Sequence, residues 1–198
     1  MNPVGLPMDT YRTLLLSFAD TDPLEPAALA LAGVLEQAWQ AHGLAWLPLS
    51  GLAAEPTRLA LQRWFPGADR RLGLDWPALA QAHRPEPRQD EVDDLLDLLR
   101  EHMALSAGTL AEREAVAHAI ACACLGNNHL WQDLALPSRA ELSALIATWF
   151  PTLAALNHQN MKWKKFFYKQ LCLRHELFIC RAPSCAVCAD QALCFGPE

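Results

Sequence analysis

The sequence predicts an all-α fold, and three observations predict it. Apolar residues recur at three- and four-residue intervals through successive segments. Those segments open on proline or Ser/Thr caps and close on glycine. No stretch alternates apolar and polar residues as a half-buried strand would, and no internal repeat or low-complexity tract is present. The last nineteen residues, CRAPSCAVCADQALCFGPE, lack this periodicity and hold four of the seven cysteines. The expected architecture is therefore a compact helical domain over residues 1–175, built of six to eight helices, followed by an irregular C-terminal cysteine-rich metal-binding tail over 176–198.

The elements follow in order. Residues 9–19 read as a short helix capped by Asp9 or Thr10. Residues 26–42 form a second helix, with Pro26 at its start and Gly43 at its end. Leu31, Val34, Leu35 and Trp39 share one face of it. Residues 44–51 connect to a third helix over 55–65, which Phe65-Pro66-Gly67 stops. Residues 66–90, rich in Pro, Gly and Arg, read as an irregular or short-helical loop.

Glu91 to Met103 is helical, with Leu95, Leu98, Leu99 and Met103 inward. Thr109 and Glu112 have the spacing of a capping box, opening a helix that runs to Leu125 before Gly126. That helix holds Cys122 and Cys124. Two residues apart, they point in nearly opposite directions and cannot share a metal, so they read as small buried hydrophobes. A polar run from Gly126 to Asp133 follows, with Trp131 inside it and His129 as either a ligand or a hydrogen-bonded structural histidine. Ser138 and Glu141 mark a second capping box, for a helix to Phe150, and Pro151 begins a short helix ending near Asn157. Residues 158–174 are the last long helix. Trp163, Phe166, Phe167 and Leu171 form its core face, while Lys162, Lys165 and Lys169 fall on another, beside Cys172.

At 198 residues, the chain fits one domain or one domain plus an appendage, and 52% hydrophobic residues are enough for a core. No apolar run is long enough to cross a membrane. A net charge of −6 argues against general nucleic-acid binding. The opening MNPVGLPMDTYRT has neither the basic nor the apolar stretch of an export signal, which with seven cysteines points to a reducing cytoplasm. The charge is uneven. All four lysines lie between Lys162 and Lys169, and Arg174 and Arg181 extend the basic segment against only Glu176. A basic patch on an acidic chain suits an anion or an acidic partner, whereas the plain alternative is a solvated helix face.

The tail thiols Cys180, Cys185, Cys188 and Cys194 are spaced C-x4-C-x2-C-x5-C. Disulfides would need an oxidising compartment. Structural zinc sites usually pair two short knuckles across a longer arm, and no such arm is present. The first three thiols have the C-x4-C-x2-C spacing of plant-type iron–sulfur loops, and the fourth comes much sooner than in those loops. Ala186, Val187, Ala192, Leu193 and Phe195 would wall such a site with a low dielectric. Cys172, next to ammonium groups, is a candidate fifth thiol.

Three stretches carry a family likeness: GNNHLWQDLALPSR at 126–139, NMKWKKFFYKQLC at 160–172, and the cysteine run ending in CFG at 194–196. LSGLAAEPTRLALQRWFPGA at 49–68 adds to it. Through these the chain resembles the NifQ family, the molybdenum donors of nitrogen fixation. The likeness covers most of the chain from about residue 49, and the motif is intact, while Ala135 stands where the resemblance leads one to expect glycine. The resemblance implies an iron–sulfur cluster, of the 3Fe-4S or 4Fe-4S type, that can incorporate molybdenum as a Mo-Fe-S cluster. It places the cluster on Cys180, Cys185, Cys188 and Cys194. It also implies that the metal is handed to the assembly of nitrogenase's iron–molybdenum cofactor, with the NifEN scaffold complex and the NifH iron protein as receivers.

Molybdenum arrives as the oxyanion molybdate, and Lys162, Lys165, Lys169, Arg174 and Arg181 could draw it in. Three thiolates suffice for a three-iron cluster, so the fourth is spare for molybdenum, a further iron or transfer, with Cys172 and His129 as additional candidates. A structural zinc-binding helical interaction module is the competing class, and a small electron carrier is a third. No nucleophile–base pair, phosphate loop or paired carboxylates stand out, so a turnover enzyme is not expected.

Overall fold

The computed structural model describes residues 10–20, 25–82, 85–174 and 191–195. The described residues form helices and no strand. The elements are α1 (Thr10–Leu16), α2 (Pro26–His42), α3 (Ala54–Trp64), α4 (Ala68–Leu72), α5 (Trp76–Gln81), α6 (Gln89–Glu101), α7 (Leu110–Cys124), α8 (Leu130–Asp133), α9 (Arg139–Trp149), α10 (Pro151–Leu156), α11 (Trp163–Arg174) and α12 (Gln191–Phe195). The domain boundary expected near residue 175 lies outside the described residues.

α7 is the hub. Its run of Ala115, Val116, Ala117, Ala119, Ile120, Ala121 and Ala123 is buried. A helix apolar on nearly every side belongs inside a fold, and alanines let neighbours approach closely. α2, α3, α6 and α8 all pack on it. α1 lies on α2, α9 on α2, α8 and α10, and α11 on α6. Leu31, Val34, Leu35 and Trp39 of α2 are buried as their spacing predicts, and so are Leu95, Leu98 and Leu99 of α6. Met103 lies just beyond the end of α6, partly buried against the core.

The first capping box is realised in full and the second through its serine arm. Thr109 accepts from the Glu112 amide while the Glu112 carboxylate accepts from the Thr109 amide at 2.5 Å. The Ser138 hydroxyl accepts from the Glu141 amide. Glu112 is also ion-paired with Arg63 at 2.7 Å, which ties α3 to the start of α7.

The stretch 66–90, expected irregular or short-helical, holds two short helices, α4 and α5, and the Asp75 side chain caps the second by accepting from the Ala78 amide. Three expectations change. Among the described residues the body holds eleven helices, α1 to α11, instead of six to eight, because several are only one or two turns long. The last long helix begins at Trp163 instead of residue 158. Asn160 adopts a left-handed φ of 57°, and the Asn157 side chain binds both backbone groups of Met161. Arg139 donates to the Asn160 and Met161 carbonyls. Asparagine tolerates this conformation and substitutes for helical hydrogen bonds, so the paired asparagines hold residues 157–162 out of the helix. Finally, residues 191–195 of the tail, expected irregular, form the helical turn α12.

His118 is a buried titratable residue in the middle of α7. Its Nδ1–H donates to the Ser50 carbonyl at 2.8 Å, and its Nε2 lies 3.6 Å from Glu114, which Arg100 pairs at 2.7 Å. Burial pushes the imidazole pKa down, against the opposing pull of Ser50 and Glu114. The native state therefore holds His118 neutral while the unfolded chain takes up a proton near the ordinary value of 6.5. Stability should be complete above that pH and fall below it, until the folded state also protonates. The slope from one such proton is at most about 1.4 kcal/mol per pH unit. Urea unfolding of the wild type and His118→Gln between pH 7.5 and about 5.5 checks this. Equal pH slopes for the two proteins would exclude His118 as the source.

Candidate metal centre

The motif's described thiol, Cys194, sits on α12, half-buried against the core together with Phe195. Its carbonyl accepts from the Lys162 amide at 2.8 Å. The end of the cysteine motif is thus pinned to the residue that precedes α11, where the lysine cluster begins. Cys180, Cys185, Cys188 and Arg181 lie outside the described residues. Of the wall expected around the thiols, Phe195 is packed, whereas Ala192 is exposed and Leu193 is 62% exposed. Ala186 and Val187 lie outside the described residues.

The candidate residues on α11 divide by role. Trp163, Phe166, Phe167 and Leu171 are buried, as the wheel predicts, and the three aromatic rings pack together with centroids 5.7–6.0 Å apart. Lys162 is half-buried, Lys165 and Lys169 are exposed, and Cys172 is half-buried. Arg174 is ion-paired with Glu101 at 2.6 Å. No local signal marks the role taken by Lys164. Its ammonium reaches back to the Gly126 carbonyl at 2.8 Å and to the buried carboxylate of Asp133. Asp133 also accepts from the amide of Asn128 at 3.1 Å and from its side chain at 2.9 Å. A Cβ on Gly126 would lie 2.5 Å from that carboxylate, so only glycine lets the loop close over it.

That loop carries His129, which precedes α8 and whose amide donates to Gln132. Lys162 and Lys164 therefore hold two separate chain segments at one turn of α11: Cys194 through a backbone bond, and the His129 loop through a buried ion pair. Among the described residues no three His, Cys, Asp or Glu side chains are grouped to hold a metal.

The α7 cysteines behave as expected of core residues. Cys124 is buried, and burial pushes its thiol up to about 12. A thiol so hard to ionise is a poor metal ligand. Cys122 is half-buried against the core. Nearby, the Tyr168 hydroxyl of α11 donates to Glu91 of α6. Burial and that hydrogen bond push the phenol up. Burial works against the Glu91 carboxylate, yet its bonds to Tyr168 and Arg88 hold it below its ordinary value. This pair anchors the middle of α11, and nothing in local sequence spacing links residues so far apart.

Residues 30–196 match the family model described as NifQ. The chain belongs to the NifQ family. It is 46% identical over 113 residues to Protein NifQ of Azotobacter vinelandii, a match covering 57% of this chain and 56% of that one. It is 36% identical over 181 residues to Protein NifQ of Rhodobacter capsulatus, covering 89% and 93%. It is 40% identical over 157 residues to Protein NifQ of Klebsiella pneumoniae, covering 74% and 90%. No solved structure matches the chain. Membership makes this a nitrogen-fixation-related protein. The NifQ match begins within α2, earlier than residue 49, where the sequence likeness was first evident, and it includes all four motif cysteines. Among the described residues no helix is long and apolar enough to cross a membrane.

Proposed function

We propose that this NifQ-family chain holds an iron–sulfur cluster on Cys180, Cys185, Cys188 and Cys194, takes up molybdenum there as cargo, and donates it to the assembly of nitrogenase's iron–molybdenum cofactor. The NifEN scaffold complex and the NifH iron protein are the proposed receivers, molybdate the metal source, and the cytoplasm the compartment. One observation carries the reading: the backbone of Cys194, within the family match, is bonded to Lys162 at the head of α11, the helix that bears the other three lysines of the chain. Thiolates and an oxyanion-attracting surface are thereby adjoined.

The donor set fits. Thiolates are the usual ligands of iron–sulfur clusters, and Cys124, with its raised pKa, leaves the tail thiols as the better ligands. When bound, the cluster supplies the iron and sulfide framework on which molybdenum is carried. The chain's own part is to fix Cys194 through Lys162, to draw in the oxyanion with Lys162, Lys165, Lys169 and Arg181, and to shield one side with Phe195. Metal handling without turnover makes the chain a carrier and not an enzyme.

The test is anaerobic purification with iron, sulfide, molybdenum and zinc quantified on one sample, followed by EPR. A brown protein with about three to four irons and matching sulfide, acquiring molybdenum on loading, is the expected result. A colourless protein with one zinc and no sulfide would replace the donor reading with a zinc-stapled helical module.

A further inference from the structure

We propose that the outward face of α11 is a docking surface for an acidic protein partner. Lys165, Lys169 and Leu173 lie one helical turn apart in succession, and all three are exposed. Lys162 continues the same face at the head of the helix. Leu173 is 54% exposed, a large apolar side chain in line with the ammonium groups. An apolar contact flanked by charge is the composition of a protein interface.

The neighbouring cations of α11 are directed elsewhere. Lys164 turns inward onto Asp133, and Arg174 is paired with Glu101. Lys165 and Lys169 are exposed on the outward face, with the half-buried Lys162 at its head. α6, packed beside α11, exposes Asp90, Asp93, Asp94 and Asp97 against one arginine, Arg100, 3.8 Å from Asp97, so this side is acidic on balance. A polyanion long enough to follow a duplex groove or an anionic bilayer would meet that carboxylate row as it spread beyond α11, and like charges repel. A compact acidic patch on a protein can contact α11 and stop short of α6. A small oxyanion would gain nothing from Leu173.

The inference rests on the donor reading, since a donor needs a receiver, and it places the receiver beside the thiols: Lys162 at one end of the face holds Cys194, and Cys172 lies near the other. The charges would chiefly speed encounter and select the partner, with Leu173 anchoring it.

The experiment uses the full chain, anaerobically purified, with the NifEN complex and the NifH iron protein as separate probes in a surface-binding assay across a salt series. Wild type is compared with Lys165→Glu/Lys169→Glu and with Leu173→Ser. These side chains are exposed, so unfolding midpoints should stay near wild type and any loss of binding reports on the surface. The expected result is wild-type binding to at least one probe that weakens with salt, at least about tenfold weaker binding in the charge-reversed protein, and weaker binding with unchanged iron and sulfide per chain in Leu173→Ser. Variants that bind as tightly as wild type, or a wild type that binds neither probe, would overturn the docking face. So would charge-dependent binding of duplex DNA or phosphatidylserine vesicles that equals or exceeds binding of the protein probes. Metal content reports on the donor reading separately: a cluster-free chain that still docks through these lysines would retain the surface and lose the carrier role.

Discussion

Gly33→Ala is expected to destabilise the fold by about 2 kcal/mol, although alanine is the better helix former. Gly33 lies inside α2, where glycine costs about 1 kcal/mol against alanine. The reason for keeping it is on the other side of the interface. A Cβ at residue 33 would lie 2.5 Å from the Ala135 Cβ and 2.7 Å from the Leu134 carbonyl oxygen. Both neighbours belong to the turn after α8, which is held to α1 and α2 by Arg12 donating to the Ala135 carbonyl and Gln37 to the Asp133 carbonyl. The turn cannot yield without breaking those bonds. Overpacking of this kind costs up to about 3 kcal/mol, which exceeds the gain in helix propensity.

Ala135 adds a second arm to the experiment. It has a φ of 52°, left-handed, where an L side chain is disfavoured by about 1–2 kcal/mol. This is the position at which resemblance leads one to expect glycine. Ala135→Gly relieves that strain and removes the nearest atom facing residue 33. It should be stabilising by up to about 1 kcal/mol alone, once the greater freedom of glycine in the unfolded chain is set against it. In the double variant the Cβ–Cβ clash is gone but the Leu134 oxygen remains, so part of the Gly33→Ala loss should return. Urea unfolding of the four proteins gives the cycle. A Gly33→Ala protein as stable as wild type, or strictly additive effects, would show that the interface relaxes freely.

What the sequence disclosed and what it concealed follow from the range of each signal. α2, α6, α7 and the core face of α11 were legible because periodicity and caps act within one or two turns. α8 was not, since four residues are too short to show a period, and α4 and α5 were legible only as a stretch that could be short-helical. The late start of α11 had a signal that went unused: Asn157 and Asn160, in a segment that otherwise read as helix. The candidate site was legible as composition, five thiols and four lysines in the last fifth of the chain. Its assembly was not. Lys164 meets Asp133 across 31 residues, and Tyr168 meets Glu91 across 77. No local pattern marks one lysine in a row as the member that turns inward.

Lys164→Met should therefore cost far more than loss of any other lysine, about 3 kcal/mol or more. The pair is shielded, with side chains 16% and 8% exposed. Removing one partner of a shielded pair leaves an uncompensated charge and costs about 3–5 kcal/mol. The lower end is expected here because both Asn128 donors still hold the Asp133 carboxylate. Removing both charges, as Lys164→Met/Asp133→Leu, should restore part of the loss and not all of it. The Asn128 amide would then lack its acceptor and the Gly126 carbonyl its donor. Both residues are exposed, so water replaces part of those bonds and the remaining loss should be about 1 kcal/mol. Salt separates this pair from a surface contact: raising salt to about 1 M should leave the Lys164→Met loss nearly unchanged, because buried pairs are weakly screened. The exposed Arg174–Glu101 pair supplies the contrast, with little lost on Arg174→Met and less still in salt. Unfolding free energies at low and high salt decide it. A Lys164→Met loss below about 1 kcal/mol, or one that disappears in salt, would make the pair a surface contact. The link between the His129 loop and the head of α11 would then have to rest on packing alone.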